Sequence, residues 1–484
     1  MRGVLGALSA VLFCSLLLAG CGGGGGGGGF PFNLGGNTPE IKDFAIGGGV
    51  TGISPGGQIV LKNNGGDPLT LSADGPFSFK QRIREGANYT VSVSSTLPTQ
   101  ACTVVFASGV ATADVASVKV VCGPAQEAVF QPAAAMLTPR VEHTLIALPD
   151  GTVLALGGQD LGLKGVTSIE RYDPASNLWK SAGTLPFQSL QAAVFLPSSG
   201  KVLVVGTGAG SQLYDPATQA FTPSGGFVTL ATVRQLILLL DGRVLASDGN
   251  LVELYRPDTG VWRASATASM DHQGGAFTLM ANGKILVSGG LLGGTIADSE
   301  VFDPSTEKWT TVGRLATSRS GHRGVLLSTG KVLAVGGATG TVAHACSCGL
   351  RTVAQAELFD PSTNMWSSAG SLLVGRNGFS STLMPTGRVL VAGGSIQGEI
   401  DQSTQGFRRT IPSPLSNVEV YDPLTNMWQS WGTLLAARSG HSASLMSSGK
   451  LLLSGGSAAN PDNPTNPDPY AWHIEFVTSS EIGW

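Results

Sequence analysis

Four short segments place an arginine three residues before a histidine or a phenylalanine. They are Thr138-Pro-Arg140-Val-Glu-His143, Thr317-Ser-Arg319-Ser-Gly-His322, Val374-Gly-Arg376-Asn-Gly-Phe379 and Ala436-Ala-Arg438-Ser-Gly-His441, with Met270-Asp-His272 as a divergent version. A guanidinium is a planar fork of donors that suits carboxylates and sugar hydroxyls, and its charge survives any physiological pH. A histidine beside it, His322 or His441, could act as half of an acid–base pair. Arg140, Arg319, Arg376, Arg438, His322 and His441 are therefore the candidate ligand contacts. A recurrent glutamate competes for those guanidinium groups. Glu170, Glu253, Glu300, Glu357 and Glu419 return at matching places along the chain, and a repeated Glu can pair with a repeated Arg simply to seal neighbouring units.

Cysteine chemistry is the other candidate. Cys102 and Cys122 flank two strand-like runs, and an antiparallel pairing of those runs brings the two thiols within bridging reach, so a disulfide is expected there. His344-Ala-Cys346-Ser-Cys348 offers three soft ligands. Zinc sites usually need a fourth ligand and wider cysteine spacing, so a Cys346–Cys348 disulfide is the preferred reading. No metal and no cofactor are expected.

The elements that must carry these residues are β-strands. Glycine supplies 69 of 484 residues, about twice its usual share, while charged residues are 13 %, about half theirs. A hydrophobic fraction of 42 % still provides for a sizeable core. Many tight turns and few long helices account for the glycine, and the fold class is all-β. A formal charge of −3 without a long basic run leaves no cationic footprint for a nucleic acid.

From about residue 126 the chain repeats. Hairpin signals recur at Asp150-Gly151, Ser199-Gly200, Asp241-Gly242, Asn282-Gly283, Thr329-Gly330, Thr386-Gly387 and Ser448-Gly449, suited to two-residue turns. An apolar strand follows each, then a diglycine such as Gly336-Gly337, degenerate in the second and third repeats. A third strand carries Glu-x-aromatic and usually Asp-Pro, as in Glu357/Phe359-Asp360-Pro361. A fourth centres on Trp179, Phe221, Trp262, Trp309, Trp366 or Trp428. A diglycine, an aromatic-Asp-Pro and a spaced Trp at a period of about 50 residues resemble the kelch pattern. The resemblance implies a propeller of the galactose-oxidase central-domain type over residues 126–484, with seven blades. The seventh repeat has strands at His441–Met446, Leu451–Ser454 and Trp472–Val477 but no Trp-bearing fourth. Residues 126–137 align without gaps on Trp366–Leu373 from Phe130, and are expected to supply it.

That resemblance also implies where the arginines lie: at the start of the innermost strands, ringing the mouth of a central channel on the face that commonly binds ligand. Long loops at 338–354, 395–416 and 457–470 would wall one side of that face, with Arg408 and Arg409 adding charge. The copper site of galactose oxidase itself is not supported. Four of the six tyrosines, Tyr172, Tyr214, Tyr255 and Tyr421, belong to the repeat pattern.

Residues 1–20 read as a signal peptide, and Leu18-Ala19-Gly20-Cys21 resembles the lipobox of bacterial lipoproteins. The resemblance implies an acylated Cys21, with Gly22 directing the product to the outer membrane. Residues 21–38, with eight consecutive glycines, read as a flexible tether. Residues 39–124 look like a small Ig-like β-sandwich acting as a spacer. The expected protein is a monomeric, lipid-anchored cell-envelope binder of an extracellular glycan or envelope protein, touching the membrane through its anchor only. The alternatives are a sugar mutarotase using His322 or His441, or a structural scaffold.

Overall fold

The computed structural model describes residues 42–95, 100–105, 107–124, 129–208, 210–343, 346–396, 413–459 and 474–483. The signal peptide, Cys21, the tether, His344, Arg408 and Arg409 lie outside these residues, as do the side chains of Cys346 and Cys348. The described chain is all-β, with no helix.

Residues 42–124 form two four-stranded sheets and a short two-stranded one. Alternation drives the packing: Ile59–Asn63 buries every second side chain, as expected of a strand with one face on a core. Ile46, Ile59, Leu61, Phe77, Val91 and Val118 from both larger sheets share that core. Gln100–Val105 runs antiparallel to Val115–Pro124 and sets Cys102 directly opposite Cys122. The two cysteines form a disulfide with their Cα atoms 4.0 Å apart.

Six further four-stranded sheets and one of five strands follow among the described residues. The fifth is representative: Arg323–Leu326, Val332–Val335, Gln355–Asp360 and Met365–Ser371, antiparallel throughout. Its second strand is fully enclosed, because it is flanked by strands on both sides and by neighbouring sheets on both faces. Six of the seven hairpins use three-residue loops, and the second a four-residue loop between Leu196 and Lys201, rather than the expected two-residue turns. Leu148 N–H donates to Thr152 O and Gly151 N–H donates back to Leu148 O. Gly151 has φ 86°, and its six counterparts are likewise at positive φ. One left-handed residue per loop fits a type I turn with a following bulge. On the third and fourth strands the repeated aromatic tilts against the repeated Trp, with centroids 5.3 Å apart for Phe359 and Trp366 and 4.9 Å for Tyr255 and Trp262.

Innermost strands of neighbouring sheets pack side by side, Thr144–Ala147 lying against both Leu190–Leu196 and Ser442–Leu445. The seventh sheet is composite. Ser480–Gly483 pairs with Leu451–Ser454 on one side and with Gln131–Ala133 on the other. The third strand of this sheet is thus Ser480–Gly483, not the expected Trp472–Val477. Within that stretch Ile474–Phe476 pairs instead with Ser457–Ala459 above the sheet. Opposite Phe130 the chain has Gly483, where a Cβ would fall 2.5 Å from the Phe130 ring. The aromatic of the other sheets is therefore absent at that point.

Candidate functional site

Each motif arginine reaches back into its own sheet. Arg438 Nη2 meets Glu481 Oε1 at 2.6 Å, and its Nη1 donates to the carbonyls of Gly455 and Ser479. Arg140 does the same with Glu170, Gly157 and Ser168. Arg319 uses Glu357, Gly336 and Gln355, and Arg376 uses Glu419, Gly393 and Asn417. The glutamate in turn accepts from two backbone N–H groups of the crossover, as Glu481 does from Leu435 and Ala436. His272 occupies the arginine position of the fourth sheet and keeps the same two partners, Glu300 and Gly289.

These groups do not ring an open mouth. Arg140, Arg319, Arg376 and Arg438 are all 0 % exposed, and their terminal nitrogens are taken up by carboxylate and carbonyls, with the Nε of Arg438 left without a partner. The expected ligand anchors are fastenings between the crossover, the diglycine and the third strand. Burial pulls each guanidinium below its ordinary value, and the adjacent glutamate opposes this. The repeated Glu, expected to be the competitor, is the partner. Glu481 was not legible as its last member, because the aromatic-x-Pro that follows each of the others is missing after it.

His322 and His441 are likewise buried. Each bonds a serine on the preceding sheet: His322 Nε2 with Ser288 Oγ at 3.0 Å, His441 Nε2 with Ser380 Oγ at 2.9 Å. His143 does so with Ser454. Burial first, then the arginine beside it, lowers His143 and His322 to about 3 and drives His441 well below its usual value. Phe379 fills the equivalent place in the sixth sheet and is 1 % exposed. A position that accepts phenylalanine is a packing wedge, and neither histidine is placed for acid–base work on a ligand.

What the same face does expose is a wall and a floor. The fifth sheet sends up the hairpin Ala338–Ala343 with Cys346–Thr352. The fourth extends through Leu291 and Thr295, the sixth through Ser395–Ile396, the seventh through Ser457–Ala459. Thr295 Oγ1 donates to Gly340 O and accepts from Gly340 N–H, and Ser318 Oγ and Thr339 Oγ1 lie 3.1 Å apart, stitching the fourth and fifth sheets together. The third sheet, in contrast, turns at once, Asp248 pairing with Leu251. Leu373, Leu435 and Leu137, at three successive crossovers, are 64 %, 56 % and 61 % exposed. Among the described residues no group of three or more His, Cys, Asp and Glu is placed to hold a metal.

Residues 144–186 match the family described as Kelch motif. That span takes in all four strands of the first of the seven sheets, so the chain carries a kelch repeat there. Kelch-like protein 35 of Mus musculus is 30 % identical over 166 residues, 32 % of this chain and 28 % of the relative. The Homo sapiens protein of the same name is 41 % identical over 61 residues, 13 % and 10 % of the two chains. The chain thus spans under a third of the length of these kelch relatives. A solved structure titled "Structure of YjhT" aligns over 72 % of this chain and 96 % of its own at 16 % identity, with a TM-score of 0.43. A likeness that loose carries no argument here.

Proposed function

We propose that the chain is a binding module. In this reading the seven sheets are the blades of a kelch-type propeller, and residues 39–124 are an Ig-like spacer. An acylated Cys21 holds both at a bacterial envelope, and the bound ligand is an extracellular glycan or an envelope protein. The observation that carries the reading is the asymmetric face: hairpin extensions on the fourth to seventh sheets stand beside a third sheet that ends in a tight turn. A rigid ring with a one-sided wall makes a cleft for an extended ligand, and loops on a rigid scaffold are where recognition concentrates. The exposed leucines at the crossovers add apolar contact area. The motif arginines contribute rigidity and no ligand contact, which replaces the expected roles of Arg140, Arg319, Arg376 and Arg438. Catalysis by His322 or His441 is not retained, given their burial and depressed basicity.

The test is a glycan array and an envelope-extract pull-down with the full chain. Beside it runs a variant in which residues 340–350 are replaced by a short Gly-Ser turn. A ligand captured by the parent and lost by a variant that still melts cooperatively supports the cleft. Capture that survives the shortening overturns it.

A further inference from the structure

One charge on the inner wall of the ring is only partly taken up by structural bonds. In every sheet one residue near the start of the inner strand lies opposite the residue before the diglycine or its degenerate counterpart, so the register defines seven equivalent positions. They are Thr144, Ala192, Gln235, Ala276, Arg323, Ser380 and Ser442. Six are neutral; only Arg323 is charged. Where this side chain is long or polar it can make a bond across to the next sheet. Ser442 Oγ donates to His143 O, and Gln235 Nε2 donates to Gly275 O at 3.0 Å. Arg323 makes the same bond with Nε alone, to Phe379 O at 3.4 Å. Its two terminal nitrogens are surplus to that bond. Arg323 keeps solvent-accessible surface but sits in an enclosed setting, where burial pulls its guanidinium below its ordinary value, and it forms no ion pair among the described residues.

A second oddity sits at the same end of the inner strands. Two residues beyond the motif position, Gly274, Gly321, Gly378 and Gly440 have φ of 70°, 64°, 63° and 65°. The first sheet has Glu142 there, at φ 54° and exposed. A glutamate held in the left-handed region costs about 1 kcal/mol that a glycine would not. Its N–H still makes the intersheet bond to Gly440 O at 2.7 Å, so the backbone gains nothing from the side chain. Glu142 lies within electrostatic reach of Arg323 without contacting it.

We propose that Arg323 and Glu142 form an axial subsite for a carboxylate-bearing sugar, a uronate unit of a glycan. The Arg323 fork takes the carboxylate in two parallel charge-assisted bonds. Glu142 accepts from the sugar hydroxyls, and its charge disfavours a ligand with a second acid nearby, such as a run of acidic residues in a peptide. The proposal rests on the binding reading above and names the chemistry at the base of the same face.

The experiment is ligand-observed saturation-transfer NMR on the full chain with glucuronate, glucose and an Asp-Glu peptide at matched concentrations. Glucuronate is expected to bind at least ten-fold more tightly than glucose or the peptide. Arg323→Gln should weaken glucuronate at least ten-fold, and Arg323→Lys, which keeps the charge and loses the fork, by less. Glu142→Gly restores the residue type of four other sheets, so it should fold at least as well as the parent while weakening glucuronate several-fold. Equal binding of glucose, preference for the peptide, no glucuronate binding by the parent, or unchanged binding by Arg323→Gln overturns the subsite. A ligand lost on shortening 340–350 but indifferent to Arg323→Gln leaves the cleft standing and removes only the subsite.

Discussion

Pro132 lies directly across from Glu481 in the composite sheet, in the register that Ser368 holds against Glu357 in the fifth. The N-terminal segment therefore completes the seventh sheet in the same alignment as the intact sheets. Proline is tolerated because this is an outer strand, where one face of the backbone has no partner to donate to. Deleting residues 129–137 removes that strand together with Phe130 and Met136, both nearly fully buried. Thermal melting of the deletion is expected to lose its cooperativity or fall by more than 10 °C. An unchanged melt would mean that the ring does not depend on closure.

Arg438→Ala leaves the Glu481 carboxylate buried and deprived of its strongest donor. Breaking one half of a buried pair usually costs about 3–5 kcal/mol, and urea unfolding should report a loss of that size. The double variant Arg438→Met/Glu481→Gln should recover part of it. A loss under about 1 kcal/mol in the single variant would show that the pair is not a fastening.

Acid should weaken the ring well before its carboxylates titrate. His143 and His322 have folded values near 3 against 6.5 for a free imidazole, so below pH 6.5 the unfolded chain takes up protons that the folded chain refuses. Stability is expected to be level above about pH 7 and to fall by roughly 1.4 kcal/mol per pH unit for each such histidine below about pH 6. Urea midpoints at pH 7.5, 6 and 5 measure this directly.

His322→Phe copies what the sixth sheet already has at Phe379. The substitution should cost less than about 1.5 kcal/mol at pH 7.5, the usual range for swaps that conserve shape. It should also reduce the acid slope by one histidine's share. A large loss at pH 7.5 would show that the bond to Ser288 matters more than the ring's volume.

Reducing the Cys102–Cys122 disulfide opens a loop of 20 residues, which loop-closure entropy values at about 3 kcal/mol. The loss should fall on residues 42–124. Two melting transitions, of which only one moves with reductant, are the expected calorimetric outcome.

The all-β class, the seven hairpins and the closing segment were legible because each rests on a repeated local signal. A strand alternates every two residues and a tight loop needs a glycine, and both print themselves on a sequence. The seventh sheet's third strand was misread because Glu481 is followed by Ile482 and Gly483 rather than aromatic-Asp-Pro, while the apolar Trp472–Val477 imitates a strand. The arginines were misassigned for a different reason. Repetition at the same place in four sheets marks a residue that builds the sheets rather than one that meets a ligand. Arg323 and Glu142 escaped notice because each breaks a pattern, which becomes visible only once register shows what their counterparts are.

The composite sheet also sets an order of assembly. Six sheets are each drawn from one continuous stretch and can form as soon as that stretch exists. The seventh joins Gln131–Ala133 to Ser480–Gly483 across the longest sequence separation in the ring, and contacts of that kind form last. Until then Gln131–Ala133 stays unclaimed while the third strand it needs is still to arrive. A ribosome or translocation channel that releases the chain from its N-terminus would therefore hold an open arc, with unpaired strand edges, for most of synthesis. Proteases and chaperones would meet that arc, not the finished circle, and substitutions at either end of the seventh sheet should reduce yield before they reduce measured stability.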